Sequence, residues 1–269
     1  MNQKTKLNEM TGLKTEGITR LKRRQLLTTL SLAGAGALTI GCRATSSGSR
    51  STGGATNDDG KEPAAGEAVP VQVTATEDLM REHGILRRAL LVYHESAVKL
   101  RQDAASYPAE ALEKTAQLFR VFGEDYHEKR LEEVYIFPAL KNAPGGAGAY
   151  ADVLLAQHAR GREITDYLLS VSKADRISTN QVEPLAKALE SFVRMYEHHA
   201  ALEDTVVFPA WKTATGEQEY EELSEKFEEV ETEIFGADGF ESALKRIEEI
   251  EASLGLTSLD MFTAPPPPK

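Results

Sequence analysis

Six consecutive stretches after Thr76 carry apolar residues at the spacing of an α-helix, and no stretch alternates as a β-strand would. Thr76 is a predicted N-cap, because Glu77 and Asp78 follow in what would be the first helical turn. Pro108 and the break at residues 142–146 separate the early stretches. Four long helices with short links predict an all-α fold with an up-down-up-down four-helix bundle over residues 76–214.

Two further helices are expected beyond Thr215, joined by a turn between Gly236 and Gly239. They contain no histidine, and their Glu-rich faces are most simply solvent-exposed surface. Residues 215–269 are therefore predicted to be an acidic C-terminal helical extension of the bundle.

Charge and cysteine content exclude several kinds of site. The formal net charge is −11, with no basic block outside the N-terminus, so the surface repels phosphate and nucleic acid is not an expected partner. Cys42 is the only cysteine, which excludes a disulfide framework, a zinc ribbon and a cysteine-ligated iron–sulfur cluster. A metal in this chain has to be held by nitrogen and oxygen atoms.

The first 42 residues resemble an export signal. Basic residues dominate residues 1–24, and residues 25–41 are uncharged but too short and too rich in Gly, Ser and Thr to span a bilayer securely. Arg23 and Arg24, followed by leucines, resemble a twin-arginine signal, and residues 38–42 resemble a bacterial lipobox ending in Cys42.

We therefore expect residues 1–42 to direct export and Cys42 to carry lipid. The product would be a lipoprotein anchored in a membrane of the cell envelope, on the periplasmic side. Residues 43–75 are rich in Ser, Gly, Ala and Thr and are predicted to be a flexible linker.

Helices two and four end in related segments, which align on Phe-Pro pairs at residues 137–138 and 208–209. In this alignment Glu132 meets Glu203. His199 and Glu203 are four residues apart, about 40° around a helix and one turn along it, so both can reach one metal ion. A metal ion also removes the cost of burying the carboxylate, because it favours the ionised form.

Helices one and three each supply one more histidine, His83 and His158. Either residue alone would more often be a packed or surface group. Four helices that each contribute a histidine, two of them with a glutamate, predict a shared metal centre. His94 lies about 16 Å along the helix from His83 and His198 points about 100° away from His199, so both are predicted to lie outside it.

Together these stretches resemble the hemerythrin-like family of cation-binding domains. The resemblance covers about residues 76–264, including a C-terminal segment at residues 235–240 that is similar to an extension in a bacterial branch of the family. It implies a four-helix bundle around two non-haem iron ions, with or without an oxo bridge. Carried over by position, it implies as ligands His83, His158, His199 and Glu203.

Helix two departs from the family pattern, in which His and Glu are four residues apart. His127 and Glu132 are five apart, which is about 140° around a regular α-helix. A one-residue π-bulge would bring them together. Alternatively Glu128, four residues before Glu132, replaces the histidine as a ligand. The sequence favours His127 with Glu132 and leaves Glu128 open.

The resemblance implies a binding module that takes up O₂, NO or peroxide, or that senses redox state, rather than an enzyme. A di-iron oxidase or peroxidase is the first alternative, and it requires an open coordination position and access for a substrate. The second alternative is a scaffold in which the metal is structural and the acidic C-terminal helices recruit a partner protein.

Overall fold

All regular structure in the described part of the chain is helical. A computed structural model describes residues 73–141, 146–174, 176–236 and 238–268. The expected export signal, residues 1–42, lies outside the described residues, as does the expected linker up to residue 72. No helix in the described part is long and apolar enough to cross a membrane.

Helix α1, Ala75–Asp103, begins two residues earlier than a cap at Thr76 would allow. Its N-cap is Thr74, whose side chain accepts a hydrogen bond from the backbone N–H of Glu77, while Glu77 accepts one from the backbone of Thr74 at 2.8 Å. This reciprocal capping box satisfies two N–H groups at the helix start. Thr76 is instead buried inside the helix, where its hydroxyl lies 3.0 Å from that of Tyr220. The predicted cap was wrong, because Ala75 and Thr76 already belong to the helix.

Helix α2 is continuous and consists of three segments: the α-helix Ala109–Leu118, the π-helix Phe119–Ile136, and the α-helix Phe137–Lys141. Hydrogen bonds in a π-helix join residues five apart, so side chains with that spacing lie on one side. The π-helical geometry that the His127–Glu132 spacing predicts is therefore present, but it extends over 18 residues instead of a single bulge.

Helix α3 spans Gly148–Ser172, and helix α4 spans Thr179–Leu202 before it continues through a second π-helix, Glu203–Val207, to Phe208–Thr215. Sequence reasoning treated helix four as regular throughout. Helix α1 packs along α4, and the first segment of α2 packs along α3.

Helices α5, Glu217–Phe235, and α6, Gly239–Leu254, pack on the others and precede a short 3₁₀ turn at Leu259–Phe262. Phe227 of α5 stacks on Trp211, with ring centroids 5.6 Å apart. Arg88 of α1 donates to both carboxylate oxygens of Glu251 in α6, at 2.8 and 2.5 Å. The acidic faces are thus not entirely solvent-exposed, because Glu251 and Glu231 turn inward. The chain from Thr74 onward forms one compact unit.

Candidate metal centre

Four buried histidines, one from each of the helices α1 to α4, point their Nε2 atoms towards one another. The Nε2 atoms of His83 and His127 are 3.0 Å apart, and those of His158 and His199 are 3.2 Å apart. All four rings are almost inaccessible to solvent. The structure therefore brings together the histidines that the sequence singled out on four separate helices.

Two fully buried carboxylates lie between the two histidine pairs. The two oxygens of Glu132 lie 3.5 Å from Nε2 of His127 and 3.4 Å from Nε2 of His158. One oxygen of Glu203 lies 3.5 Å from Nε2 of His83 and 3.1 Å from Nε2 of His199. Each carboxylate thus reaches a histidine of both pairs. None of the four carboxylate oxygens has a hydrogen-bond partner among the described residues.

Sets of these side chains can hold cations. The ligand atoms of Glu132, His158, His199 and Glu203 all lie within 4.8 Å of one another, as do those of a second set formed by Glu132, His83 and His127. The two sets share Glu132. The arrangement therefore offers two adjoining positions for metal ions.

The outer nitrogen of every histidine faces an oxygen acceptor. The Nδ1–oxygen pairs are His83 with Asp204 at 2.7 Å, His127 with Glu82 at 2.7 Å, His158 with Glu133 at 3.0 Å and His199 with Gln157 at 2.9 Å. Such an acceptor fixes the neutral tautomer with its proton on Nδ1, which leaves a lone pair on Nε2. Two Nε2 lone pairs 3.0 Å apart repel each other unless a proton or a metal ion lies between them. The donor set thus fits metal ions.

The two buried carboxylates differ in pKa. Burial raises the pKa of Glu203 well above its ordinary value, and the charge of Glu132 raises it further. Burial acts in the same direction on Glu132, but His127 and His158 outweigh it and hold the pKa of Glu132 well below its ordinary value. A metal ion would supply the positive charge that allows both carboxylates to ionise.

The histidines of the cluster also differ in pKa. Burial lowers the pKa of His199 to about 4, and the neighbouring charge of His158 contributes in the same direction. Burial opposes protonation of His158 as well, yet the charges of Glu128 and Glu132 and the hydrogen bond to Glu133 raise its pKa to about 10. His94 and His198 are exposed and lie outside the cluster, as the sequence predicted.

Glu128, the open alternative in helix two, lies beside the cluster rather than among the inner nitrogens. One oxygen accepts a hydrogen bond from Tyr196 at 2.7 Å and the other from Arg162 at 3.2 Å. Its carboxylate approaches the outer nitrogen of His158, at 3.9 Å. Arg162 also contacts Glu133. Its guanidinium therefore already offsets the negative charges of Glu128 and Glu133.

A small cavity adjoins the inner atoms of the cluster. Its volume is about 10 Å³, which is room for about one water-sized molecule. Leu86, Leu90 and Phe119 form its apolar wall, and Tyr196 and Glu128 form a polar one.

Sequence reasoning did not identify the four outer acceptors. A signal was nevertheless present, because Glu82 and Gln157 directly precede the histidines of helices one and three, and Glu133 and Asp204 directly follow the two glutamates. Each acceptor, however, serves a histidine on a different helix, and that pairing becomes visible only in three dimensions.

The chain is similar to several known proteins. The hemerythrin HHE cation binding domain matches residues 74–211 and again residues 150–255. The uncharacterized proteins Rv1995 of Mycobacterium tuberculosis and Mb2018 of Mycobacterium bovis are each 44% identical to it over 194 residues, which cover 72% of this chain and 75% of each relative. No solved structure gives a significant match.

Proposed function

The chain belongs to the hemerythrin HHE cation-binding family, and we propose that its centre holds two iron ions. His83 and His127 would hold one ion, His158 and His199 the other, with Glu132 and Glu203 near histidines of both pairs. The observation that carries this proposal is the pair of fully buried carboxylates without hydrogen-bond partners among four inward-facing Nε2 atoms. Imidazole and carboxylate donors suit iron, and the family match supports a cation at this place.

The proposed function is binding or sensing of O₂ or NO, or of redox state. Iron, when bound, supplies an electron-rich centre to which a small diatomic molecule or peroxide can attach. The surrounding residues limit what reaches the centre: Leu86, Leu90 and Phe119 exclude bulk water, and the cavity has room for about one water-sized molecule. A larger organic substrate does not fit in this cavity.

A peroxidase or oxidase is the second candidate. The observation in its favour is the hydroxyl of Tyr196, which lies in the cavity wall and is held by Glu128 at 2.7 Å. A phenol and a carboxylate at this place could hold or move a proton during turnover. In the scaffold alternative, by contrast, the metal would have no exchangeable ligand at all.

Metal analysis tests the proposed centre. Protein expressed with iron available should contain about two iron ions per chain, and Glu203→Ala or His199→Ala should lose both. His198→Ala is the matched control, because His198 is the exposed chain neighbour of His199. One zinc ion, or no metal, in the wild-type protein would contradict the proposal.

Two variants separate the alternatives in helix two. His127→Ala should lose iron, whereas Glu128→Ala should keep most of it, because Glu128 is engaged with Tyr196 and Arg162. The reverse result would assign Glu128 as the ligand. Glu132→Ala should cause a severe loss of iron in either case.

Stopped-flow spectroscopy tests the function. Reduced protein mixed with O₂ or NO should change its optical spectrum without rapid consumption of an organic substrate. Sustained O₂ or peroxide consumption with a reductant would place the protein in the oxidase or peroxidase class. No spectral change would indicate a structural metal.

We further propose that α1 to α4 run alternately up and down. Arg101 near the end of α1 pairs with Glu183 near the start of α4, which supports an antiparallel pair. Lys141 at the end of α2 likewise pairs with Asp152 near the start of α3. A short cross-linker should join cysteines placed at positions 101 and 183 within one chain, and its failure would argue against this order.

Export to the cell envelope is a separate proposal, which rests on the twin arginines and the lipobox-like end at Cys42. Cys42→Ser should release the protein from the membrane fraction and leave its iron content unchanged. Arg23→Lys with Arg24→Lys should retain it in the cytoplasm. Full-length wild-type protein found in the soluble cytoplasmic fraction would contradict the proposal.

A further inference from the structure

Helices α1 and α3 share a sequence pattern around their histidines. In α1, Glu82 directly precedes His83, and an arginine, Arg87, lies four residues after it; in α3, Gln157, His158 and Arg162 have the same spacing. Glu82 accepts from His127 at 2.7 Å, and Gln157 accepts from His199 at 2.9 Å. The residue before each histidine thus supports the histidine of a neighbouring helix.

The same relation holds for α2 and α4. Glu133 follows Glu132 and faces Nδ1 of His158, while Arg162 binds the same oxygen. Asp204 follows Glu203 and faces Nδ1 of His83, while Arg87 binds its other oxygen. The two halves of the centre therefore correspond in the placement of their outer acceptors and of the arginine that pairs with each acid.

One pair of residues breaks this correspondence. The acceptor for His127 is a carboxylate, Glu82, whereas the corresponding acceptor for His199 is an amide, Gln157. Tyr126 additionally donates to Glu82 at 3.0 Å. A carboxylate that accepts the Nδ1 proton of a metal-bound histidine raises the basicity of that ligand, and a neutral amide does so less.

We infer that the two metal positions are inequivalent, and that the position of His83 and His127 binds its ion more tightly than that of His158 and His199. The inference rests on the proposed two-ion centre. Both histidines of the first position are backed by carboxylates, and in the second position only His158 is. Glu82 and Gln157 are thus positioning residues that set the difference. Changes in such outer partners alter metal affinity by about 10- to 100-fold, so the two affinities should differ by about 10-fold or more.

Stepwise loading of the metal-free protein with ⁵⁷Fe(II), followed by Mössbauer spectroscopy, tests this inference. One equivalent should give mainly one quadrupole doublet, and a second equivalent should add a distinct doublet. Glu82→Gln and Gln157→Glu should each make the two doublets more alike and remove the order of filling, because the first takes the carboxylate from behind His127 and the second places one behind His199. The double exchange, Glu82→Gln with Gln157→Glu, should restore two doublets with the order of filling inverted.

Glu197→Gln is the matched control, since it removes an exposed carboxylate from α4 two residues before His199 and should leave both doublets unchanged. Circular dichroism checks that each variant is folded; if Glu82→Gln does not fold, Gln157→Glu alone decides.

A single doublet from two bound ions in the wild-type protein would overturn the inequivalence. This would hold even if the second ion bound more weakly because the first ion repels it. Two doublets that neither exchange moves would also overturn it. Fewer than two bound ions would instead contradict the proposed centre itself.

Discussion

Gly161 leaves the space that the hydroxyl of Tyr196 occupies. A Cβ added at Gly161 would lie 2.0 Å from that oxygen. Gly161→Ala should therefore displace Tyr196, break its hydrogen bond to Glu128 and lower the free energy of unfolding by about 1–3 kcal/mol. Denaturant unfolding measures this difference.

Gly84→Ala is the matched control for this prediction. Gly84 is exposed on α1, and no atom lies within 4 Å of a Cβ added there. Alanine at an exposed helix interior is more stable than glycine by about 1 kcal/mol, so the control should have the opposite sign. Equal effects of the two substitutions would contradict the packing role of Gly161.

Glu124 is a fully buried acid three residues before His127. Burial raises the pKa of Glu124 to about 7, and the hydrogen bond from Thr165 and the charge of Arg120 act in the opposite direction without offsetting it. The folded state therefore keeps a proton that the unfolded chain releases above pH 4.5. The contribution of Glu124 to the free energy of unfolding should fall as the pH rises from 4.5 to about 7 and should level off above that.

Glu124→Gln should remove this contribution, because an amide does not titrate. Since one pKa unit corresponds to about 1.4 kcal/mol, the difference between wild type and variant should change by roughly 3 kcal/mol between pH 4.5 and pH 8. Denaturant unfolding at both pH values checks it, with exposed Glu249→Gln as the control. A wild-type–variant difference that does not depend on pH would contradict the prediction.

At the scale of helices, α5 is joined to the rest of the fold through Phe227. Its ring stacks on the fully buried Trp211 and also packs near Tyr135 at 5.6 Å. Phe227→Ala should lower the free energy of unfolding by about 3 kcal/mol. The same substitution at Phe262, in the exposed 3₁₀ turn, should change it by less than about 0.5 kcal/mol.

The shape of the unfolding curve shows whether α5 and α6 unfold cooperatively with the other helices or independently of them. A single transition that shifts as a whole in Phe227→Ala would show that the C-terminal helices unfold with the others. A main transition unchanged in the variant, with a separate early one, would mean that residues 215–269 unfold independently.

The helices themselves could be predicted from sequence because apolar spacing and breaks are local signals. The third helix, for example, is predicted from the sequence to span about residues 150–171, which differs from Gly148–Ser172 by only two residues at its start and one at its end. The start of α1 was misplaced because two threonines, Thr74 and Thr76, are both competent caps, and only Thr74 has a glutamate three residues later.

The extent of the π-helices could not be predicted. The five-residue spacing of His127 and Glu132 indicates one extra residue in a helical turn, but the length of the π-helix depends on packing against α1 and α3. The short π-helix at Glu203 had no signal at all, since its His–Glu spacing of four suits an ordinary α-helix.

At the scale of the whole molecule, the centre joins four helices that are far apart in the chain. A metal ion bound to the folded chain but not to the unfolded one stabilises the fold by an amount that grows with its concentration relative to the dissociation constant. At about 100 times that constant, one ion contributes about 2.7 kcal/mol. Without metal, the protein instead has to bury Glu132 and Glu203 without hydrogen-bond partners.

Removal of metal should therefore lower the melting temperature of the entire fold. A chelator added to the wild-type protein should shift the transition down, and Fe(II) should raise it again by an amount that grows with the logarithm of its free concentration. Glu203→Leu separates the two contributions, because it removes a buried carboxylate that costs stability only when no ion is present. The metal-free variant should be more stable than the metal-free wild type and should not respond to Fe(II). Differential scanning calorimetry measures both, and a chelator-insensitive wild-type transition would contradict the coupling of metal binding to the fold.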